Sequence, residues 1–261
     1  MEESMSLWPE TLPESYVEDG FRPYLDLFPL EKGGAKGSVL VLPGGGYNMR
    51  ADHEAEPIAR AYNANGYHAF VAHYRVAPHT MLAAFMDVIR AIRLVRSLED
   101  SLALELGRLA VCGFSAGGHL TALLGVHRET GDPVERDPVD AYSRRPDALI
   151  LAYPWITNKD QPPHEGKFPG REGEKLSYIS QTSAEEHVTP DTPPSFLWHT
   201  ANDEIVPVEH SILFAEKLRQ NKVQFELHVY DRGRHGLGLS EDDTHVKTWL
   251  GLSCEWMDRQ E

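Results

Sequence analysis

The sequence alternates short apolar runs with longer stretches in which apolar residues recur every three or four positions. Short apolar runs rich in β-branched residues are typical of strands buried on both faces, and the longer spacing is typical of amphipathic helices. Their alternation along a chain predicts an α/β fold, with a mostly parallel central sheet covered by helices on both faces. A length of 261 residues suits one large domain of this class, and we assign residues 1–261 to a single domain.

This pattern predicts seven strands and three long helices. The strands are Tyr24–Phe28, Ser38–Leu42, His68–His73, Leu109–Gly113, Ala148–Tyr153, Ser195–Thr200 and Gln224–Tyr230. The helices are indicated by an apolar face through Met81, Phe85, Val88, Ile92 and Val95, by another through Val208, Ile212, Ala215 and Leu218, and by a last amphipathic segment at Thr244–Met257.

One stretch interrupts this rhythm. From Thr157 to Pro194 the chain is rich in proline, glycine and charge and shows no sustained period. Long loops within compact domains are more often functional than idle. We therefore predict an inserted lid or cap at about residues 157–194, with a partly disordered surface excursion as the alternative.

The net charge of the chain limits the classes of partner that it is expected to bind. Forty Asp and Glu residues against 25 Lys and Arg residues give a formal net charge of −15, which repels phosphate backbones and anionic membrane surfaces. No apolar run approaches the roughly 18 residues of a membrane span, and the acidic, proline-broken N-terminus lacks the features of a secretory signal. We therefore expect a cytoplasmic protein without a nucleic-acid or membrane partner. We expect free thiols at Cys112 and Cys254. A homo-oligomer is compatible with the sequence.

The strongest local signal of function is the run LAVCGFSAGGH from Leu109 to His119. An apolar strand leads into Gly113-Phe-Ser115-Ala-Gly117 and a helix follows, which is the strand–turn–helix context of the G-x-S-x-G motif. So tight a turn strains the backbone of the serine, and glycines two residues to either side avoid a collision of side chains. We predict Ser115 as a nucleophile; the alternative is a glycine-rich turn without catalytic function.

A second glycine-rich loop, Pro43-Gly-Gly-Gly-Tyr47, directly follows the predicted strand that ends at Leu42. Glycines let backbone N–H groups approach a ligand closely, and a loop at this place completes the oxyanion hole in folds with a G-x-S-x-G turn. We predict that the donors are the N–H group of Gly44 or Gly45 and that of Ala116. A phosphate-binding turn is the alternative, and the absence of a following Gly-Lys-Ser or Gly-Lys-Thr argues against it.

A serine hydroxyl needs a histidine as base and an acid that orients the histidine, in the chain order serine, acid, histidine. Asp203 follows the predicted strand that ends at Thr200, and His235 lies in a glycine-flanked loop after the last predicted strand. Both therefore lie at carboxyl ends of strands, where open α/β sheets place their sites. We predict His235 as the general base and Asp203 as the orienting acid; His119 and Glu204 are the nearest alternatives.

Together, the segments PGGGY, GFSAGGH, HTANDEIVP and GRHGLGL resemble those of the α/β-hydrolase esterase family that includes bacterial acetyl xylan esterases and related feruloyl or sugar-ester hydrolases. The resemblance extends from about Tyr24 to the end of the chain. It implies an α/β-hydrolase fold and hydrolysis of carboxylic esters, often acetyl groups on xylo-oligosaccharides, by Ser115, Asp203 and His235 with no metal or other cofactor. Pro43 stands where lipase-like relatives carry histidine, which favours the carbohydrate-ester branch.

Two aromatic residues beside the predicted site are candidates for substrate binding. Tyr47 follows the oxyanion loop and Trp155 follows a predicted strand, so either ring could stack on a sugar; core packing is the alternative for Trp155. The expected partner is a small ester, such as an acylated sugar or oligosaccharide. A serine peptidase or amidase of the same fold is the alternative enzyme, and a non-catalytic hydrolase-fold ligand-binding protein is a third interpretation.

Overall fold

One mixed sheet of eight strands runs through the part of the chain that the computed structural model describes, residues 3–8, 20–30, 34–101, 107–127, 138–158 and 182–260. The strands are β1 (Glu3–Ser6), β2 (Tyr24–Phe28), β3 (Ser38–Leu42), β4 (His68–His73), β5 (Leu109–Phe114), β6 (Ala148–Ala152), β7 (Ser195–Thr200) and β8 (Phe225–Tyr230). Their spatial order is β1-β2-β4-β3-β5-β6-β7-β8. β1 and β2 pair antiparallel at one edge, and all pairs from β4 to β8 are parallel.

Helices cover both faces of this sheet. They are α1 (Glu56–Ala64), α2 (Met81–Ser101), α3 (Ala116–Val126), α4 (Glu209–Gln220) and α5 (Thr248–Asp258), with short 3₁₀ turns at Asp52–Glu54, Pro138–Ala141 and Ala184–His187. Successive residues of a strand point to opposite faces. In β3, Val41 packs in one buried cluster with Tyr62 of α1 and Trp249 of α5, whereas Leu42 packs on the other face with Val88 of α2. The core thus lies in two layers, one on each side of the sheet.

The predicted strands agree closely with the observed ones. Four have the predicted bounds, and the three that were predicted as Leu109–Gly113, Ala148–Tyr153 and Gln224–Tyr230 differ by one residue at one end. β1 was not predicted, because its sequence ESMS has a single large apolar residue, and the strand is defined by its backbone pairing with β2. The last helix begins at Thr248 rather than Thr244, since turns occupy the four residues before it.

The predicted lid lies largely outside the described residues, which omit 159–181. The described remainder of this segment includes the 3₁₀ turn Ala184–His187, in which Ala184 is fully buried and packs with α3 and α4. Cys112 and Cys254 are buried free thiols, as predicted. In the described part of the chain, every helix is too short or too polar to cross a membrane.

Parallel pairing brings the carboxyl ends of four strands to one edge of the sheet. Phe114 at the end of β5 is paired with Ala152 at the end of β6, and Thr200 of β7 with Tyr230 of β8. The segments that leave these strands therefore start beside one another. Ser115, Asp203 and His235 all belong to these segments.

Candidate active site

Ser115 occupies a strained turn between β5 and α3. Its backbone angles are φ 51° and ψ −113°, and a positive φ is uncommon for a residue with a side chain. A Cβ atom at Gly113 would lie 2.2 Å from Thr121 Oγ1, and one at Gly117 would lie 2.1 Å from the carbonyl oxygen of Leu42. Both glycines are therefore required for the close approach of β5, α3 and the loop after β3.

The structure brings the three side chains that were predicted to act together into one hydrogen-bonded chain. The Ser115 hydroxyl lies 2.8 Å from His235 Nε2, and His235 Nδ1 lies 2.6 Å from Asp203 Oδ2. A carboxylate can only accept, so Nδ1 carries the proton and Nε2 is left to accept from the serine. This is the arrangement in which an imidazole can remove the hydroxyl proton.

Asp203 is held in place by several donors. Its Oδ1 accepts the N–H groups of Ile205 at 2.9 Å and Val206 at 3.0 Å, and His199 Nε2 lies 3.4 Å from Oδ2. Burial alone would raise the pKa of Asp203, but hydrogen bonds from His199, His235 and the Val206 backbone outweigh it and hold the pKa well below its usual range. Asp203 is therefore an ionised, fixed partner for His235.

The two alternative residues have other surroundings. Glu204 is exposed to solvent, whereas Asp203 is buried. His119 is buried beneath the site, where its Nδ1 lies 2.8 Å from the Tyr47 hydroxyl and its Nε2 lies 2.6 Å from the carbonyl oxygen of Thr182. With both ring nitrogens engaged, His119 is a structural residue, and neither alternative joins the chain that ends at Ser115.

The glycine loop after β3 lies against Ser115, but its first N–H group is already occupied. Gly44 donates to Glu54 Oε2 at 2.8 Å, so the expectation that Gly44 serves as an oxyanion donor is corrected. Gly45 and Ala116 remain candidates, because neither N–H group has a hydrogen-bond partner within the described residues. Ala116 is the first residue of α3, where a helix offers no carbonyl of its own to the N–H group.

The structure also corrects the expectation that Tyr47 and Trp155 stack on a sugar. Tyr47 is 4% exposed and packs in the core on the α2 side, and its hydroxyl hydrogen-bonds to His119. Trp155 is 6% exposed and its Nε1 donates to Asn158 Oδ1 at 3.0 Å. Both rings are buried, which sequence position beside a motif does not reveal.

Two residues beside the site were not anticipated from the sequence. Glu54 is 2% exposed and accepts hydrogen bonds from Gly44 and from the Tyr153 hydroxyl. The ring of Tyr153 stands edge-on to that of His235, with 5.0 Å between their centroids. The one available signal was a carboxylate ten residues after Gly44, and an acidic residue in an acidic chain gives little reason to select it.

A strained serine between a strand and a helix, served by a histidine from the loop after the last strand, characterises the α/β hydrolases, and the mostly parallel sheet agrees with that class. Within the class, the chain belongs to the BD-FAE family, whose model matches residues 25–218.

Comparison with known proteins finds relatives that are similar to this chain over most of its length. Endo-1,4-beta-xylanase B of Butyrivibrio fibrisolvens is 35% identical over 94% of this chain and 39% of its own length. The acetylxylan esterase of Xylanibacter ruminicola is 28% identical over 77% of this chain and 41% of its own. The acetyl ester-xyloside bifunctional hydrolase from Caldicellulosiruptor lactoaceticus is 40% identical, with a TM-score of 0.92, over 98% of this chain and 95% of that one. This chain thus spans about two-fifths of the length of the two curated relatives.

Proposed function

We propose that this protein is a serine-dependent carboxylic ester hydrolase that removes acetyl groups from acetylated sugars or xylo-oligosaccharides. The observation that carries the proposal is the unbroken hydrogen-bonded chain from Asp203 through His235 to Ser115, with distances of 2.6 and 2.8 Å. Relatives named as an acetylxylan esterase and an acetyl ester-xyloside hydrolase support the substrate class.

The first chemical step is attack of Ser115 Oγ on the ester carbonyl carbon while His235 Nε2 takes the hydroxyl proton. The imidazolium that forms is stabilised by the carboxylate of Asp203, whose lowered pKa keeps it ionised throughout. The tetrahedral intermediate then collapses, and the sugar leaves as an alcohol after it receives the proton from His235. An acetyl group remains bonded to Ser115.

The second step releases the acid. Water attacks the acetyl-serine carbonyl as His235 removes its proton, and collapse of the second tetrahedral intermediate returns the proton to Ser115 and frees acetate. In both intermediates the negative oxygen is bound by the N–H groups of Gly45 and Ala116. The positive end of the α3 dipole adds to this binding, since Ala116 is its first residue.

A substrate panel tests this proposal. We expect acetate release from acetylated xylo-oligosaccharides, turnover of p-nitrophenyl acetate above that of longer-chain esters, and no cleavage of aminoacyl p-nitroanilides. Ser115→Ala should abolish all of this turnover while leaving the unfolding temperature close to that of the wild type. Cleavage of the anilides without acetate release from any sugar would overturn the ester assignment in favour of an amidase.

The cytoplasmic location and the absence of nucleic-acid and membrane partners stay predictions from the sequence.

A further inference from the structure

We propose that Glu54 is a positioning residue that joins the oxyanion loop to the loop carrying His235 and so sets the geometry around Ser115. This inference rests on the ester hydrolase function proposed above. The two carboxylate oxygens of Glu54 bond in different directions: Oε2 accepts the N–H of Gly44 at 2.8 Å, and Oε1 accepts the hydroxyl of Tyr153 at 2.6 Å. One buried side chain thus contacts both halves of the site.

On the oxyanion side, Glu54 and its own turn hold Gly44 at both ends. The side chain binds the Gly44 N–H, while the Gly44 carbonyl accepts the N–H of Ala51 at 3.0 Å, and Ala51 in turn accepts the N–H of Glu54 at 2.9 Å. The Gly44 carbonyl and the Gly45 N–H belong to one planar trans peptide unit and point in opposite directions. Fixing the Gly44 carbonyl therefore fixes the direction of the Gly45 N–H, the proposed oxyanion donor.

The surroundings of Gly44, on the oxyanion side of Glu54, are tightly packed. A Cβ atom at Gly44 would lie 2.7 Å from Glu54 Oε2 and 3.0 Å from Ser115 Cβ. Gly44 is therefore packed between the carboxylate and the nucleophile. A shift of the carboxylate passes directly to the loop beside Ser115.

On the histidine side, Glu54 acts through Tyr153. The Tyr153 hydroxyl donates to Glu54 and accepts the N–H of Gly238 at 2.9 Å, three residues after His235. Burial, followed by the charge of Glu54, raises the pKa of Tyr153 well above its usual range, so the hydroxyl keeps the proton that it donates. The Tyr153 ring also lies edge-on against His235, and a positive φ of 35° holds the residue in a strained conformation at the end of β6.

A carboxylate suits this place for a specific reason. It is an acceptor at both oxygens, whereas an amide offers one acceptor and one donor group, so only a carboxylate can accept from Gly44 and Tyr153 together. Among the described residues, no lysine or arginine forms an ion pair with Glu54, and His53 Nε2 lies 3.7 Å from Oε1. Burial of a charge without a full partner is costly for stability, which is consistent with a role in positioning.

Glu54→Gln is the direct test, with Glu56→Gln as the matched control. Glu56 lies two residues further on, is exposed and pairs with Arg60 on α1. With p-nitrophenyl acetate as substrate, we expect Glu54→Gln to lower kcat by about 10-fold to 100-fold, since misplacement of a catalytic group costs up to about 100-fold, with KM within about twofold of the wild type. Glu56→Gln should match the wild type in both constants.

A transition-state analogue separates positioning from simple stability. Phenylboronic acid forms a tetrahedral adduct with a reactive serine, so its inhibition constant should rise in Glu54→Gln in parallel with the fall in kcat. Should Glu54→Gln fail to fold, Tyr153→Phe replaces it, with a lower kcat and weaker boronate binding expected at unchanged KM. Wild-type kcat and boronate binding in the folded variant would overturn the proposal. Failure of the hydrolase assignment itself would show differently, as wild-type turnover that survives Ser115→Ala.

Discussion

Asp203 shows how much of the site depends on the surroundings of one residue. Its carboxylate is fully buried, yet two backbone N–H groups and two imidazoles contact it. His199 is itself fixed, because its Nε2 donates to the Val206 carbonyl at 2.9 Å and its Nδ1 lies 2.8 Å from Ser211 Oγ. These contacts explain why the carboxylate can stay charged where water cannot reach it.

The lowered pKa of Asp203 predicts a pH dependence of stability. The folded-state pKa lies below the value of about 3.9 for an unfolded chain, so the charged carboxylate contributes stability that is complete above that value and is lost as the pH falls towards the folded pKa. We expect the difference in unfolding free energy between the wild type and Asp203→Asn to be larger at pH 5 than at pH 3. Urea unfolding followed by tryptophan fluorescence measures it, and an equal difference at both pH values would contradict the assignment.

At the scale of single residues, the sequence located three side chains that the structure brings together. It did not locate the residues whose position depends on tertiary contacts. Ser115, Asp203 and His235 could be selected because each follows a strand end in a known chain order. The choice between Gly44 and Gly45 could not be made, since it depends on the distant carboxylate of Glu54. Tyr47 was assigned to the substrate because burial of its ring is not visible in the sequence.

The strand–turn–helix element around Ser115 depends on the absence of side chains at Gly113 and Gly117. α3 approaches the end of β3 so closely that a Cβ atom at Gly117 would collide with the carbonyl oxygens of Leu42 and Pro43. Backbone atoms cannot rotate away as a flexible side chain can. The glycines are therefore needed for the fold as well as for the position of Ser115.

Gly117→Ala tests this element against a matched helical glycine. A Cβ atom at Gly117 would lie 2.1 Å from the Leu42 carbonyl oxygen, whereas one at Gly251 in α5 meets no heavy atom within 4 Å. We expect Gly117→Ala to reduce the free energy of unfolding by about 1–3 kcal/mol through overpacking, and Gly251→Ala to increase it by about 0.5–1 kcal/mol through helix propensity. Similar stabilities of the two variants in urea unfolding would show that the contact at Gly117 is not as tight as the geometry indicates.

Elements were predictable where burial imposes a pattern. β5 and β6 are buried at every position and read as continuous apolar runs. β1 is the exception, because pairing of its backbone with β2 does not require an apolar sequence. The segment from Thr157 to Pro194 lacks any period, and its predicted role as a lid stays a prediction where the chain lies outside the described residues.

At the scale of the whole molecule, the sheet brings residues that are far apart in the sequence close together in space. Ser115 and His235 are 120 residues apart in sequence, and their side chains lie 2.8 Å apart. Parallel strands achieve this because their carboxyl ends share one edge, where the loops after β3, β5, β6, β7 and β8 converge. The class of fold and the position of the site follow from that rule, while the substrate depends on loop contacts that it does not determine.

Covalent labelling of the nucleophile tests the proposed chemistry most directly. Diethyl p-nitrophenyl phosphate phosphorylates an activated serine, and the adduct can be located by intact-mass measurement and peptide mapping. We predict one adduct, on the peptide that contains Ser115, together with loss of p-nitrophenyl acetate hydrolysis, and no adduct in Ser115→Ala. An adduct on another residue, or a Ser115→Ala variant that still hydrolyses the ester at the wild-type rate, would contradict the assignment of Ser115 as the nucleophile.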